Sequence, residues 1–280
     1  MDALMRKSRG KWILAGIVAA LALAAVLLGG WKSGRFTVGM DAGASVELTA
    51  SSSGKVLSAA GVNDAGKKLL SGLELAGKPL KEACAEAAGA MAGGGYITAD
   101  GNAVLLSVNG LTGDGAQKLC SETARGIISA AKERGVDAAV AYHSMRMANA
   151  EALALAEEYG VSAGKAGFVQ KLSALLPSNN YAALCPLTVN ELLLLASASG
   201  GKLADKNVTV SGAPSAAVCI TGDKALNAVL KAIGVAKADI FGSSAKLALR
   251  GGLNYAVTFI YKGRDCDYLV NARTGAVSQA

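Results

Sequence analysis

Histidine is almost missing from this chain: among 280 residues there is one, His143. A metal centre built on paired histidines is thereby excluded, and a site using His143 would need carboxylates or thiolates beside it. No His-Glu-x-x-His and no Cys-x-x-Cys spacing occurs. The five cysteines, Cys84, Cys120, Cys185, Cys219 and Cys266, are scattered and odd in number. They outline neither a metal site nor a disulfide framework. Cys84 and Cys120 fall on apolar faces of predicted helices and read as small buried hydrophobes. Aromatic residues make up only 5%, yet hydrophobic residues reach 52%, which suffices for cores built on small side chains.

Charge is missing in one place above all. From Trp12 to Trp31 runs a 20-residue stretch without a charged side chain. As a helix it would be about 30 Å long, the thickness of a bilayer's hydrocarbon core. Trp12 and Trp31 stand at its ends, where indole rings favour the membrane–water interface. Arg6, Lys7, Arg9 and Lys11 precede it, and Lys32 and Arg35 follow. The denser positive flank predicts residues 1–11 as a cytoplasmic tail, 12–31 as a transmembrane helix, and the bulk of the chain outside a bacterial cytoplasmic membrane. Cleavage as a signal peptide is the alternative, but Ala20-Leu21-Ala22 and Ala22-Leu23-Ala24 lie inside the run and not after it. Gly16, Ala20 and Ala24 form a small-residue ridge on which two such helices can pack as a homodimer.

The net charge of +7 is made largely at this flank: residues 1–35 carry +5 and the remaining 245 only +2. That distribution predicts contact with membrane lipid and no nucleic-acid partner.

Beyond the run, strands and helices alternate. Phe36–Ala42, Ser45–Ala50 and Lys55–Gly61 read as strands; Val46, Leu48 and Ala50 alternate with polar neighbours. Pro79 opens a helix with Leu80, Cys84, Ala87 and Met91 on one face, ending at Gly93-Gly94-Gly95. Ala103–Val108 is apolar on both faces and so is predicted central. A long helix, 115–134, and a strand, Ala138–His143, follow. Then come helices at Ala148–Tyr159 and Ala163–Leu176, the second capped by Ser162. Thr188 and Glu191 fit a capping box ahead of Leu192–Ala196. This is an α/β (α+β) layer architecture over 36–198. Ser197–Gly201 opens a predicted linker, 199–216. Residues 217–280 predict a small α+β unit: helix Asp223–Ile233 on an antiparallel sheet of strands 244–250, 253–262 and 265–271.

Catalytic signals are few. Gly113-Asp114-Gly115 and Gly164-Lys165-Ala166 lack the residues that complete a phosphate-binding loop. Asp265, Cys266 and Asp267 sit together on a strand, and a solvated strand end is the simpler reading. No catalytic residue, metal site or cofactor is expected.

Several motifs resemble one family. They are Val38-Gly39-Met40-Asp41-Ala42-Gly43-Ala44-Ser45-Val46-Glu47-Leu48, Gly54-Lys55-Val56, Asn63-Asp64-Ala65-Gly66, Gly77-Lys78-Pro79-Leu80, Val104–Val108, and Tyr159-Gly160-Val161-Ser162-Ala163-Gly164-Lys165. Together they resemble the extracytoplasmic middle domain of RsgI-like anti-sigma factors. That resemblance implies a single-pass membrane regulator whose cytoplasmic domain binds a sigma factor. Here about 11 residues precede the apolar run, too few for that domain, so sigma-factor binding is not carried over. The family motif reads Asp-x-Asn-Pro-Ser-Ile-Glu, and its Asn–Pro bond is associated with self-cleavage. Here Gly43 and Ala44 stand at that bond, while Asp41, Ser45 and Glu47 are kept; no cleavage is expected at Gly43–Ala44. The tail, through Ala225–Gly234, Tyr255–Phe259 and Tyr268–Gly275, resembles a PepSY domain, a small binding or inhibitory module.

The reading is a non-enzymatic envelope module for sensing or scaffolding, with an extracytoplasmic protein partner. One alternative is a PepSY-type inhibitor or chaperone of a secreted protease. Another is an envelope-stress regulator reaching a sigma factor through a separate partner.

Overall fold

The computed structural model describes residues 34–146, 148–176 and 180–280. The predicted membrane run, with Trp12, Trp31 and the Gly16–Ala20–Ala24 ridge, lies outside the described residues. Among the described residues no helix is long and apolar enough to cross a membrane.

Among the described residues ten strands form two sheets. The first has the order β3-β2-β1-β4-β5-β6. Its members are β1 (Arg35–Asp41), β2 (Ser45–Ser51), β3 (Val56–Gly61), β4 (Ala103–Asn109), β5 (Ala139–Met145) and β6 (Thr209–Ser211). β4 and β5 are parallel. Helix α3 (Gly113–Lys132) makes their crossover. The other pairings are antiparallel. All seven residues of β4 are buried, as expected for a strand apolar on both faces.

One face of this sheet is apolar. Val38, Met40, Val46, Leu48, Leu106 and Val108 pack there with α2 (Leu80–Gly93) and α3, which contribute Ala83, Cys84, Met91, Cys120 and Ile127. Full burial of each large side chain contributes about 1.5–3 kcal/mol. The short α1 (Asp64–Leu70) closes the β3 end; its cap Asn63 accepts from Gly66 N–H at 2.7 Å.

The other face is covered by α5 (Ala163–Ser173) and α7 (Val189–Ala198). Near the starts of β4 and β5 it is apolar: Leu105, Ala139 and Ala141 meet Phe168, Leu172 and Leu192. α4 (Ala150–Tyr159) packs beside α5 through Ala152, Leu155 and Ala166. α6 (Tyr181–Leu184) is a single turn. The expected capping box of α7 is present, with Thr188 and Glu191 satisfying each other's backbone.

The stretch 199–216, expected to be a linker, contributes the edge strand β6. Its three residues are too few to show an alternation. Ser215 is also tied down: its N–H donates to Asn102 Oδ1 at 2.7 Å and its carbonyl accepts from Asn190 Nδ2 at 2.9 Å.

The second sheet, β10-β9-β8-β7, comprises β7 (Ile240–Leu249), β8 (Leu253–Tyr261), β9 (Arg264–Asn271) and β10 (Val277–Gln279). Helix α8 (Gly222–Ile233) covers one face through Leu226, Val229 and Leu230. One helix on an antiparallel sheet was expected. β7 begins four residues earlier than expected because an irregularity between Phe241 and Ser244 hides the alternation.

Candidate functional site

The covered second face is polar where β1, β2, β4 and β5 lie side by side. Register sets Glu47 opposite Gly39, Gly39 opposite Ser107, and Ser107 opposite His143. One row of side chains therefore crosses four strands. In the next rows lie Asp41 opposite Ser45, and Thr37 opposite Asn109. All of these but the glycine are classed as buried polar or charged groups. A buried polar surface is costly unless its groups are paired.

The pairing comes from the first turn of α5. Ser162 caps this helix, accepting from Lys165 N–H at 2.9 Å. The same hydroxyl donates to Asp41 Oδ2 at 2.6 Å. The other Asp41 oxygen accepts from Ser45 Oγ. Ala163 N–H donates to the Glu47 carboxyl. Lys165 is the cation that faces Asp41. Gly164 lies directly on the sheet: a Cβ there would fall inside the Ser107 side chain. The helix approaches this closely only with glycine at that position.

His143 is buried and closes the far end of the row. Its Nε2 donates to Gly164 O at 3.2 Å, and Lys171 Nζ donates to Nδ1 at 3.1 Å, which fixes the Nε2–H tautomer. Three polar atoms of this face, Ser107 Oγ, Thr37 Oγ1 and Asn109 Oδ1, find no hydrogen-bond partner among the described residues.

A second motif joins at the β1–β2 turn. Asn63 Oδ1 accepts from Ser45 N–H at 3.1 Å, and its Nδ2 donates to Gly43 O at 3.4 Å. Gly43 N–H donates to Tyr96 O at 3.2 Å. Gly43 and Ala44 are thus the turn itself, with Asp41, Ser45 and Glu47 turned under α5.

Burial governs the protonation of this cluster. It raises the Asp41 carboxyl, against the hydrogen bonds from Ser162 and Ser45 and the charge of Lys165. Burial, reinforced by the Asp41 charge, pushes Glu47 up to about 7 despite the Ala163 N–H. Lys165 is lowered by burial, with Asp41, Cys185 and Glu191 opposing. Burial and then the Lys171 charge take His143 down to about 3. Two buried carboxyls and one facing cation make a compact acid–hydroxyl–amine cluster that joins strands to helix.

Gly160-Val161-Ser162-Ala163-Gly164 has Gly-x-Ser-x-Gly spacing around Ser162, the expected cap of this helix. A serine nucleophile in such a motif stands on a strand-to-helix turn with a histidine base. Here the turn joins two helices, Ser162 is 1% exposed, and His143 holds Gly164 and Lys171 instead. The arrangement positions α5: the Ser162 hydroxyl is held by Asp41, and His143 is engaged elsewhere.

The remaining sequence candidates lie apart from this cluster. Gly113-Asp114-Gly115 opens α3. Asp265, Cys266 and Asp267 lie on β9, where Arg250 Nη1 stands 3.6 Å from Asp267. Among the described residues no group of three His, Cys, Asp or Glu side chains could hold a metal ion. The described cysteines are free; burial raises the Cys84 thiol to about 12 and the Cys120 thiol to about 11.

The sequence could not show the contact between the two units of the fold. Arg273, in the β9–β10 turn, donates Nε to Glu191 Oε1 at 2.5 Å and Nη2 to Oε2 at 2.7 Å. Glu191 is buried at the first turn of α7. Leu253 and Ala272 join the apolar cluster that α7 builds with the first sheet.

In comparison with known families, the model of the anti-sigma factor RsgI-like central domain matches residues 36–171. The matched segment runs from β1 into α5 and so contains both sides of the buried cluster. No curated protein matches the chain.

Proposed function

We propose that the chain is a regulatory sensing or scaffolding module, related to the central part of RsgI-like anti-sigma factors, that works by protein–protein contact. The observation that carries this reading is the family match over 36–171, within which three of the resembling motifs meet in one place. Residues 41–47, 63–66 and 159–165 converge on the turn between β1 and β2 and on the first turn of α5.

In this reading the run 12–31 anchors the chain in a bacterial membrane with residues 36–280 outside, and the second sheet with α8 is a PepSY-like unit. The clamp between Arg273 and Glu191 supports joint use of both units, since they share one apolar cluster. A non-enzymatic role fits a cluster whose buried groups are directed at each other.

The test is crosslinking and pull-down of the tagged full-length protein from its own membrane. A specific partner outside the membrane is expected. A cytoplasmic sigma factor as the sole crosslinked protein would overturn the reading.

A further inference from the structure

The first turn of α5 is held to the sheet by a small set of polar contacts that do not balance in charge. Two carboxyls face it, Asp41 from β1 and Glu47 from β2, and both are buried. The first turn of α5 brings one cation, Lys165, which also feels Cys185 and, from α7, Glu191. Further along the same face stand His143, held neutral, and Lys171, directed at it. With both carboxyls ionised, one negative charge would lie buried without a counter-charge, which is strongly unfavourable. Keeping a proton on one of them removes that cost.

We propose that the contact between α5 and the β1–β2 strands is a proton-operated clasp: it is closed while the Asp41–Glu47 pair retains one proton, and loss of that proton releases the first turn of α5 from the sheet. Opening lets water reach both carboxyls, which then ionise without penalty. The upward displacement of Glu47 to about 7 places this change near neutral pH. What opens is a polar face on which the Ser107 and Thr37 hydroxyls have no partner among the described residues, and the apolar residues that this turn buries, Ala163 and Ala166, are small. The inference concerns the chain alone, and failure to find a signalling partner leaves it intact.

Hydrogen–deuterium exchange on the full chain at pH 5 and pH 8, normalised to intrinsic exchange rates, tests it. Amides in the first turn of α5 are expected to open at least about tenfold more at pH 8, the effect of about one pKa unit of differential binding. Amides of α3, on the apolar face, serve as the internal reference and should not respond. In Glu47→Gln the α5 difference should vanish. Equal responses of α5 and α3, or an undiminished response in Glu47→Gln, would overturn the proposal. Should Glu47→Gln not fold, carboxyl carbon NMR of the unaltered chain decides. A Glu47 resonance titrating above pH 6 supports the clasp, and one titrating in the ordinary range of 4 to 5 sinks it.

Discussion

Ser162 Oγ donates to Asp41 Oδ2 at 2.6 Å across 121 residues of chain. The same oxygen accepts from Lys165 N–H and so caps α5. One hydroxyl therefore begins a helix and fastens it to a central strand. Ser162→Ala removes both functions and leaves a carboxyl oxygen unpaired. The expected loss is about 2–4 kcal/mol, the sum of a cap and an unsatisfied buried acceptor. Urea unfolding measures it, and a loss below about 0.5 kcal/mol would show that Asp41 finds another donor.

Gly164 and Ser107 are expected to couple. Gly164→Ala places a methyl group inside the Ser107 side chain and should destabilise by about 1–3 kcal/mol. Ser107→Gly alone removes an unpartnered hydroxyl and makes room. In the double variant much of the loss should return, and a double-mutant cycle reads the difference. Strict additivity would mean that α5 does not seat on Ser107.

Glu191 depends on Arg273. Burial raises this carboxyl, but the hydrogen bonds from Arg273 and Thr188 outweigh it and leave the group lowered. Its contribution is thus present above the ordinary carboxylate pKa and is lost as pH falls through the lowered value. Arg273→Met should cost about 1–3 kcal/mol near neutral pH, moderated by the half-exposed position of the arginine. Thermal melting at pH 7 and pH 3 checks this; the gap between the two proteins should narrow at the lower pH.

Two buried groups oppose each other in pH dependence. His143 is lowered from 6.5 to about 3, so its stabilisation is complete above 6.5 and fades as pH falls toward 3. Glu47 is raised from 4.5 to about 7, so its stabilisation is complete below 4.5 and fades as pH rises through 7. Between pH 5 and 6.5 the two trends offset. Glu47→Gln should make stability climb with pH over that span, and His143→Gln should make it decline. Denaturant midpoints at half-unit intervals would show it; unchanged slopes in both variants would refute the assignment.

The bond between Gly43 and Ala44 should remain intact. Gly43 carries no side-chain amide to attack the backbone, and its carbonyl is engaged by Asn63 Nδ2. Mass spectrometry of purified protein should show no fragment beginning at Ala44.

Much of this fold is legible in the sequence because its signals are local. Val46, Leu48 and Ala50 announce β2 by alternation, and Thr188 with Glu191 announces α7. The cap at Ser162 is equally local. Its second bond, to Asp41, is not, since it depends on how α5 crosses the sheet. The row Glu47–Gly39–Ser107–His143 is hidden for the same reason: it exists only once four strands take their register. Strand β6 escapes for want of length. Arg273 gives no sign of its partner, because an arginine in a surface turn looks the same whether paired or not.

The chain enters its first sheet through the middle, not at a margin. β1 lies between β2 and β4 and is antiparallel to both. A pull on Arg35 along the strand axis would load both ladders in shear, so their hydrogen bonds must yield together and not one after another. Tension arriving from the N-terminal side would therefore meet two hydrogen-bonded ladders at once. It would be carried straight to Asp41 and the helix fastened there.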